Sequence, residues 1–288
     1  MLGSGLGNTP GMPELPEVEF GRRVLHEVAI GRTIVDADIA EDPIVIADAR
    51  PADVRDVLRG ARPTGTDRHG KHLWLELEGR PAVLFHFGMT GAFRTVGDAP
   101  LQLESNARTV DRSWPPRFTK VRLVFDDGGE LAFVNSRRLG RVRLRDDPRN
   151  QAPIRRLGYD PLKTLPSPAA FDKRIGRRQS KLKVLLLDQS FAAGVGNWIA
   201  DEVLYQARLA PQRTVDTLSA DERDRLRKAI RRVIKTAVRV DARKDRFPKN
   251  WLFHHRWGKV EGARVGGKRI AFETMGGRTT AWVPAVQS

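Results

Sequence analysis

The sequence contains no cysteine among its 288 residues, which excludes disulfides and any thiolate zinc site. Its six histidines are not spaced as a substitute cluster, so we expect no metal and no other cofactor. No apolar run approaches the roughly 18 residues of a membrane-spanning helix, and residues 1–11 lack the charged and apolar segments of a signal peptide. We therefore expect a cytoplasmic protein that does not bind a membrane.

Acidic residues are also scarce, because 35 Asp and Glu face 51 Lys and Arg, which gives a net charge of +16. This charge indicates a polyanionic partner, and nucleic acid fits it best. A ribosome-associated protein or a membrane-surface binder would carry a similar charge. The charge therefore predicts a class of partner, and the reaction has to be inferred from motifs.

The hydrophobic patterns in the first half predict a helix and a β-rich layer. A helical pattern over 17–30 is followed by alternating strand patterns at 73–77 and 121–125. The second strand pattern runs through an Asp-Asp-Gly-Gly turn into 131–134, which indicates a hairpin. Prolines punctuate 150–165, where we place a domain boundary.

Beyond that boundary the periodicity becomes helical. Ser219 and Glu222 form a capping box ahead of an amphipathic segment that extends to Val238. After Pro248 short strand patterns return around two Gly-Gly turns. The second half is therefore expected to be a helical domain followed by β-hairpins, and the whole chain to be α+β.

The segment that follows Met12 begins with Pro13-Glu14-Leu15-Pro16-Glu17. Removal of Met12 would leave Pro13 with a secondary amine, and the ordinary pKa of an α-amino group, about 8, leaves a useful fraction deprotonated near neutrality. Such an amine can attack the C1′ of a deoxyribose and hold the sugar as a Schiff base. The alternative is that Pro16 and Glu17 simply open a helix.

Six motifs, taken together, favour the catalytic interpretation. They are MPELPEVE at 12–19, Gly70-Lys71 at the start of a strand, FGMTG at 87–91, NSRRLG at 135–140, GVGNWIADEVL at 194–204 and GGRTT at 276–280. In this order they resemble the formamidopyrimidine-DNA glycosylase and endonuclease VIII family, in its zincless-finger form. The resemblance extends from Met12 to Gln287.

The resemblance implies an α+β fold. Its N-terminal part would be a helix-flanked β-sandwich, and its C-terminal part a helical domain with a helix-two-turn-helix and a zincless β-hairpin finger. The expected division is a leader at 1–11, a catalytic domain at 12–150, a DNA-binding domain at 165–247 and the finger at 248–288. The leader would be an extension, a tag or a misassigned start, since an acylated Pro13 cannot form a Schiff base.

The resemblance also implies base-excision repair by a bifunctional glycosylase and abasic-site lyase. Pro13 would be the nucleophile, Glu14 the general acid, and Glu17 would support Glu14. Lys71 would contact a phosphate and donate a proton in β-elimination, and Arg278 would assist δ-elimination from the finger. Without the family pattern, Lys71 and Arg278 would be interpreted as solvated surface residues.

Six further residues are expected to bind DNA. Met89, Arg137 and Leu139 match the side chains that fill the space left by an extruded base, with Leu139 standing where Phe is typical. Arg178 and Lys183 align with backbone-contacting lysines of the family, and Arg177 and Lys181 accompany them. Asn197 follows a glycine turn at the start of a helix, where a phosphate could be received.

The chain departs from the family pattern at two further places. Val283-Pro284-Ala285-Val286-Gln287 stands where zinc-finger members have Cys-Pro-x-Cys-Gln, so we expect a small apolar cluster to hold the finger. Asn135-Ser136 replaces a common Asp-Pro, which puts one DNA contact in doubt.

The leading hypothesis is a monomeric, nucleoid-associated enzyme that acts on double-stranded DNA with oxidised bases or abasic sites. Formamidopyrimidine and 8-oxoguanine are favoured as substrates over oxidised pyrimidines. One alternative is a noncatalytic protein that binds damaged DNA and whose nucleophile is blocked by residues 1–11. Another, a basic RNA-associated protein, rests on charge alone.

Overall fold

The computed structural model describes residues 12–98, 101–102, 110–111, 113–176 and 178–288. The expected leader at 1–11 and the basic residue Arg177 lie outside the described residues. The chain divides into two compact units, one ending at Arg156 and the other running from Leu157 to Ser288.

The first unit consists of two helices and ten strands in its described part. In chain order these are α1 (Leu15–Ala29), β1 (Ile34–Ile39), α2 (Pro51–Leu58), β2 (Pro63–His69), β3 (His72–Leu77), β4 (Arg80–His86), β5 (Ala92–Thr95), β6 (Leu101–Gln102), β7 (Val110–Asp111), β8 (Thr119–Phe125), β9 (Glu130–Val134) and β10 (Arg141–Arg145). A short 3₁₀ turn at Ile154–Arg156 closes the unit.

Two four-stranded antiparallel sheets form a sandwich. Their strand orders are β1-β8-β9-β5 and β10-β4-β3-β2. Aromatic contacts join the inner faces, since the ring of Phe85 on β4 lies 5.1 Å from that of Phe93 and 5.5 Å from that of Phe133. The fold class predicted from the sequence, a helix-flanked β-sandwich within an α+β protein, is confirmed.

Helix α1 covers part of this core. Val18, Leu25 and Ala29 lie in the same buried cluster as the sheet residues. The helix begins at Leu15 with a proline in its first turn, and the backbone N–H of Glu14 donates to Glu17 Oε2 at 3.0 Å. The predicted helix start and the predicted hairpin between β8 and β9 are both present.

The second unit is helical and then becomes a set of hairpins. It contains α3 (Pro168–Ile175), α4 (Leu182–Leu187), α5 (Asn197–Ala207), α6 (Ala220–Arg239), β11 (Arg264–Val265), β12 (Lys268–Arg269), β13 (Ala271–Met275) and β14 (Arg278–Trp282), with 3₁₀ turns at Val215–Thr217, Lys244–Arg246 and Leu252–His254. The capping box of α6 is present as predicted, because Glu222 N donates to Ser219 Oγ and Ser219 N to Glu222 Oε2.

The finger is the antiparallel pair β13–β14. Gly276 and Gly277 form its two-residue turn with φ values of 54° and 70°, which other residues adopt only with strain. Under the finger lies a small apolar cluster made of Leu252, Val265, Ile270, Ala281 and Val283, with Tyr205, Ala263, Phe272 and Val286 packed against it. Val283 and Val286 of the expected cluster therefore pack at this place. Within the described part of the chain, no helix is long and apolar enough to cross a membrane.

Candidate active site

The sequence-predicted nucleophile and its acid lie where the chain enters α1. Pro13 is partly exposed, whereas Glu14 and Glu17 retain 2% and 4% of their exposure. Because Glu17 Oε2 accepts the backbone N–H of Glu14, the side chain of Glu17 fixes the backbone that carries the acid. The structure thus brings Pro13, Glu14 and Glu17 together in one turn of chain.

Lys71 lies in the two-residue turn between β2 and β3 and is half-buried. Beside it on β3, His72 faces His86 of β4, with the ring centres 4.7 Å apart. Burial, together with the positive charge of Lys71, lowers the pKa of His86 to about 4, and burial lowers the pKa of His72 as well. Both imidazoles are therefore neutral at pH 7.

Sequence reasoning missed this histidine pair. The imidazole of His86 is positioned by the backbone, since Gly88 N–H donates to its Nδ1 at 3.2 Å. A signal existed in the sequence, because His72 adjoins Lys71 and His86 precedes FGMTG. Only the pairing register of β3 and β4 shows that the two rings meet.

The three expected base-filling side chains lie on two loops that touch. Met89 is partly buried in the loop after β4, while Arg137 and Leu139 are exposed in the loop between β9 and β10. At Gly88, φ is +61° and a Cβ would lie 2.4 Å from the carbonyl carbon of Leu139, so no side chain fits between the loops.

Asn135 joins these two loops. It is fully buried, its Nδ2 donates to Phe87 O at 2.9 Å, and its Oδ1 accepts the N–H of Gly140 at 3.1 Å. The sequence suggested only a lost DNA contact at this position. The structure instead gives Asn135 the task of holding the Met89 loop against the Arg137–Leu139 loop.

A buried carboxylate anchors the same loop from below. Arg138, at φ 55°, donates from Nε and Nη2 to the two oxygens of Asp42 at 2.9 and 3.0 Å. Lys120 Nζ lies 2.8 Å from Asp42 Oδ2. Burial alone would raise the pKa of Asp42, but hydrogen bonds from Arg138 and Lys120 outweigh it and hold the pKa far below its usual range. This ion pair fixes the backbone between Arg137 and Leu139.

In the second unit, Lys183 differs from the sequence prediction. Its side chain has no exposure, its Nζ donates to Asn197 O at 2.9 Å, and it forms an ion pair with Asp201. This position does not fit a contact with a DNA phosphate, because the ammonium would have to leave a buried carboxylate to reach one. Lys183 is a structural link between α4 and α5, and its alignment with a basic family position could not reveal this.

Arg178 keeps an exposed position. Its side chain is 40% exposed, its Nη1 donates to Asp188 Oδ2 at 3.0 Å, and its guanidinium lies 5.4 Å from the ring centre of Phe191. Since Asp188 and Phe191 orient the side chain without burying it, Arg178 can still present its charge to a phosphate. Its assignment stays a prediction.

Helix α5 holds the strand that carries Arg278. Arg278 is exposed at the start of β14. Asn197 Nδ2 donates to Thr279 O at 2.9 Å, and Ala281 N donates to Asp201 Oδ2 at 3.0 Å. Asn197 and Asp201 are four residues apart on one face of the helix, and Thr279 and Ala281 are two apart on one edge of the strand. The helix thereby fixes the position of β14 through two of its side chains.

Two buried acidic residues complete this arrangement. Asp201 also accepts from Arg256, whose Nη2 lies 2.6 Å and Nε 3.0 Å from Oδ2. Glu202 accepts the backbone N–H of Phe253 at 2.9 Å, and burial raises its pKa to about 7. Sequence reasoning had assigned these residues no role.

Among the described residues, no group of three His, Asp or Glu side chains is placed to hold a metal ion.

Comparisons with known proteins match the chain to one family. Three protein-family models match, namely the formamidopyrimidine-DNA glycosylase N-terminal domain at residues 12–142, the formamidopyrimidine-DNA glycosylase H2TH domain at 157–248 and the formamidopyrimidine-DNA glycosylase-like C-terminal domain at 251–284. The first match begins at Met12, which directly precedes Pro13.

Relatives match over almost the whole chain. The formamidopyrimidine-DNA glycosylase of Arabidopsis thaliana is 42% identical over 96% of this chain and 71% of its own length. That of Thermus thermophilus is 34% identical over 96% of this chain and 98% of its own.

Solved structures show the same fold. The Fpg protein of Thermus thermophilus superposes with a TM-score of 0.74 at 31% identity, covering 96% of this chain and 98% of that one. Lactococcus lactis Fpg, in complex with DNA containing an abasic site, has a TM-score of 0.77 at 24% identity, covering 96% and 99%.

Proposed function

Because the chain belongs to the formamidopyrimidine-DNA glycosylase family, we propose that this DNA glycosylase also cleaves the strand at the abasic site it creates. Its preferred substrates are formamidopyrimidine and 8-oxoguanine in double-stranded DNA, ahead of oxidised pyrimidines. The observation that carries the proposal is the position of Pro13, next to a buried Glu14 whose backbone is held by Glu17.

The first step uses the amine of Pro13 once the residues before it have been removed. The nitrogen lone pair forms a bond to C1′ of the damaged nucleotide, and the bond from C1′ to the base breaks with its electron pair. The proton that the Pro13 nitrogen releases goes to the departing base, and Glu14 protonates the ring oxygen as the sugar ring opens. The product is a Schiff base between Pro13 and the sugar, with Glu14 left as a carboxylate.

Strand cleavage follows from the Schiff base. Loss of a C2′ proton expels the 3′ phosphate by β-elimination, and a second elimination expels the 5′ phosphate. Lys71 contacts a phosphate at the damaged nucleotide and donates a proton in the first elimination. Arg278, exposed beside the finger turn, contacts flanking phosphates and assists the second.

Recognition needs the base to leave the duplex. Met89, Arg137 and Leu139 fill the vacated space, and the Asn135 amide keeps their loops together. Arg178 and Asn197 contact the DNA backbone and orient the protein without reading sequence. The net charge of +16 supplies the general attraction to DNA.

The test is borohydride trapping on a duplex with one 8-oxoguanine. The protein is prepared in two forms, one beginning at Pro13 and a matched form that keeps residues 1–12. We expect a covalent adduct and strand cleavage from the first form only, because the second has an acylated Pro13. Intact mass of the free protein and the adduct identifies the reacting species, and duplexes with formamidopyrimidine, an oxidised pyrimidine or an abasic site rank the substrates.

Two variants sharpen the test. Pro13→Gly and Glu14→Gln should each abolish cutting at 8-oxoguanine. For Glu14→Gln, which removes the general acid, the cleavage rate should fall at least about 100-fold. If the form beginning at Pro13 binds abasic DNA yet gives no adduct with either lesion, the protein is a noncatalytic binder of damaged DNA and the proposal is wrong.

A further inference from the structure

Arg68, on β2, is only 1% exposed. Such burial is rare for a side chain that cannot lose its charge. Its Nε donates to Glu19 Oε2 at 3.0 Å, and its Nη1 donates to the backbone carbonyl of Gly70 at 2.9 Å. The guanidinium therefore spans two elements that sequence reasoning treated separately.

The first of these elements is α1. Glu19 is 6% exposed and lies on the helix that Pro13 and Glu14 open. It is shared with Arg22, whose Nη2 and Nε donate to Oε1 at 2.9 and 3.2 Å. Burial alone would raise the pKa of Glu19, but hydrogen bonds from Arg22 and the charge of Arg68 outweigh it and lower the pKa. Glu19 is thus a carboxylate.

The second element is the turn that carries Lys71. Gly70 and Lys71 are the two turn residues between β2 and β3, so the carbonyl that Arg68 holds belongs to the peptide bond joining Gly70 to Lys71. Fixing that peptide limits the directions in which the Lys71 side chain can point. Arg22 adds a second link between α1 and β2, since its Nη1 donates to Thr66 Oγ1 at 3.0 Å.

We propose that Arg68 is a positioning residue that sets the Lys71 ammonium relative to the N-terminus of α1, through one guanidinium bound to Glu19 and to the Gly70 carbonyl. This inference rests on the proposed function, in which Pro13 and Lys71 act on the same nucleotide. A purely structural ion pair could be replaced by apolar side chains at little cost. A positioning role instead predicts that the loss of Arg68 is felt through Lys71.

The experiment is a double-mutant cycle on cleavage of a preformed abasic site at saturating DNA. Its members, each beginning at Pro13, are the wild type, Arg68→Met, Lys71→Ala and the double variant. Met keeps the length of the apolar stem, and Glu19 stays paired with Arg22 when Arg68 is lost. Misplacement of a reacting group by about 1 Å costs roughly 100-fold, so we expect a loss of about 10- to 100-fold from Arg68→Met in the wild-type background.

In the Lys71→Ala background the same change should cost less than about threefold, because the group being positioned is gone. Equal losses in the two backgrounds would show a general structural role and overturn the inference. Arg68→Lys serves as the conservative variant, and it also keeps the cycle usable if the Met variant does not fold. The lysine retains a charge for Glu19 but cannot reach the Gly70 carbonyl at the same time. Arg68→Lys should therefore lower the cleavage rate less than Arg68→Met does, and this decrease should still require Lys71.

Failure of the inference is separable from failure of the proposed function. Borohydride trapping of the wild type reports on Pro13 chemistry independently of Arg68, and its absence would overturn both. If trapping succeeds and the cycle is additive, only the role of Arg68 is wrong. If Lys71→Ala cleaves at the wild-type rate, Lys71 has no role for Arg68 to support, and the inference is overturned.

Discussion

Asn135 shows how one buried amide determines the geometry of an exposed surface. Its side-chain amide donates to Phe87 O and accepts the N–H of Gly140. Both loops that carry the side chains predicted to fill the vacated space therefore depend on its donor and its acceptor. Two variants test this dependence.

Asn135→Ala should lower the free energy of unfolding by about 1–3 kcal/mol, because the buried N–H of Gly140 loses its partner and the Phe87 carbonyl is left with the N–H of Gly91. Asn135→Asp keeps the acceptor for Gly140 but sets a carboxylate oxygen against the Phe87 carbonyl, so we expect a comparable loss. Chemical denaturation measures both. The control is Ser136→Ala, whose exposed hydroxyl donates to Thr90 Oγ1, and a change beyond about 0.5 kcal/mol there would contradict this account.

At Leu139 we expect a substitution to strengthen DNA binding. Its side chain is 43% exposed, so replacing it with Phe costs little in stability. Phe adds a ring that can stack on a base neighbouring the vacated position, which leucine does poorly. We expect Leu139→Phe to bind a lesion duplex more tightly than the wild type does, by roughly 1 kcal/mol. On undamaged DNA the variant and the wild type should bind with the same affinity. Equal gains on both duplexes would contradict a wedge role for this side chain.

At the scale of elements, the second unit is organised around α5. The side chains of Asn197 and Asp201 hold the outer edge of β14, while Lys183 and Arg256 neutralise Asp201 from either side. The position of Arg278 on the finger therefore depends on a helix that precedes it by about seventy residues in the sequence.

Lys183 and Arg178 make a matched pair for measuring DNA contacts. Loss of one phosphate contact reduces the slope of log affinity against log salt by about 1. Arg178→Met should show this reduction, whereas Lys183→Met should leave the slope unchanged and lower the free energy of unfolding by about 1–3 kcal/mol. Binding titrations at several salt concentrations, with thermal unfolding of the same samples, measure both effects. A reduced slope for Lys183→Met would restore the role predicted from its sequence position.

Glu202 should make stability depend on pH in a defined direction. Burial raises its pKa from the ordinary 4.5 to about 7, so the folded protein keeps a proton that the unfolded chain loses above 4.5. The stabilisation is complete below about pH 4.5 and is lost as pH rises to about 7. In Glu202→Gln this loss should disappear, so its free energy of unfolding should gain on the wild type between pH 5 and 7 and hold that gain at pH 8.

Denaturant unfolding at pH 5, 6, 7 and 8 measures this difference. Glu261→Gln is the control, since Glu261 is an exposed carboxylate on the same unit and should run parallel to the wild type. Parallel curves for Glu202→Gln as well would show that Glu202 is ionised in the folded state.

Some features of the elements could be predicted from the sequence, and others could not. The start of α1, the β8–β9 hairpin and the capping box of α6 rest on local signals, and each is present. The contacts of Asn135 with Phe87 and of Arg68 with Glu19 could not be predicted, since these partners lie 48 and 49 residues away. The ion pair of Lys183 with Asp201 was equally hidden, because a basic residue in sequence does not reveal that it will be buried against a carboxylate.

For the whole molecule, the net charge of +16 sets a prediction of its own. Binding of undamaged duplex should weaken steeply with salt, by roughly 1,000-fold or more between 50 and 200 mM if six or more phosphates are contacted. Affinity measured across that range gives the number of contacts directly. A shallow dependence would mean that the positive charge is spread over surfaces that do not face DNA.

The apolar cluster under the finger has a consequence for the conditions in which the protein works. A finger built on thiolates fails when an oxidant attacks sulfur or a chelator removes the ion, but Leu252, Val265 and Val283 offer neither target. Neither peroxide nor a chelator should therefore reduce activity by disrupting the finger. Met89 is partly exposed, and we propose that it fills the space left by the extruded base, so its conversion to the sulfoxide would make that side chain polar. Oxidative stress would then impair the recognition of damage before it impaired the fold.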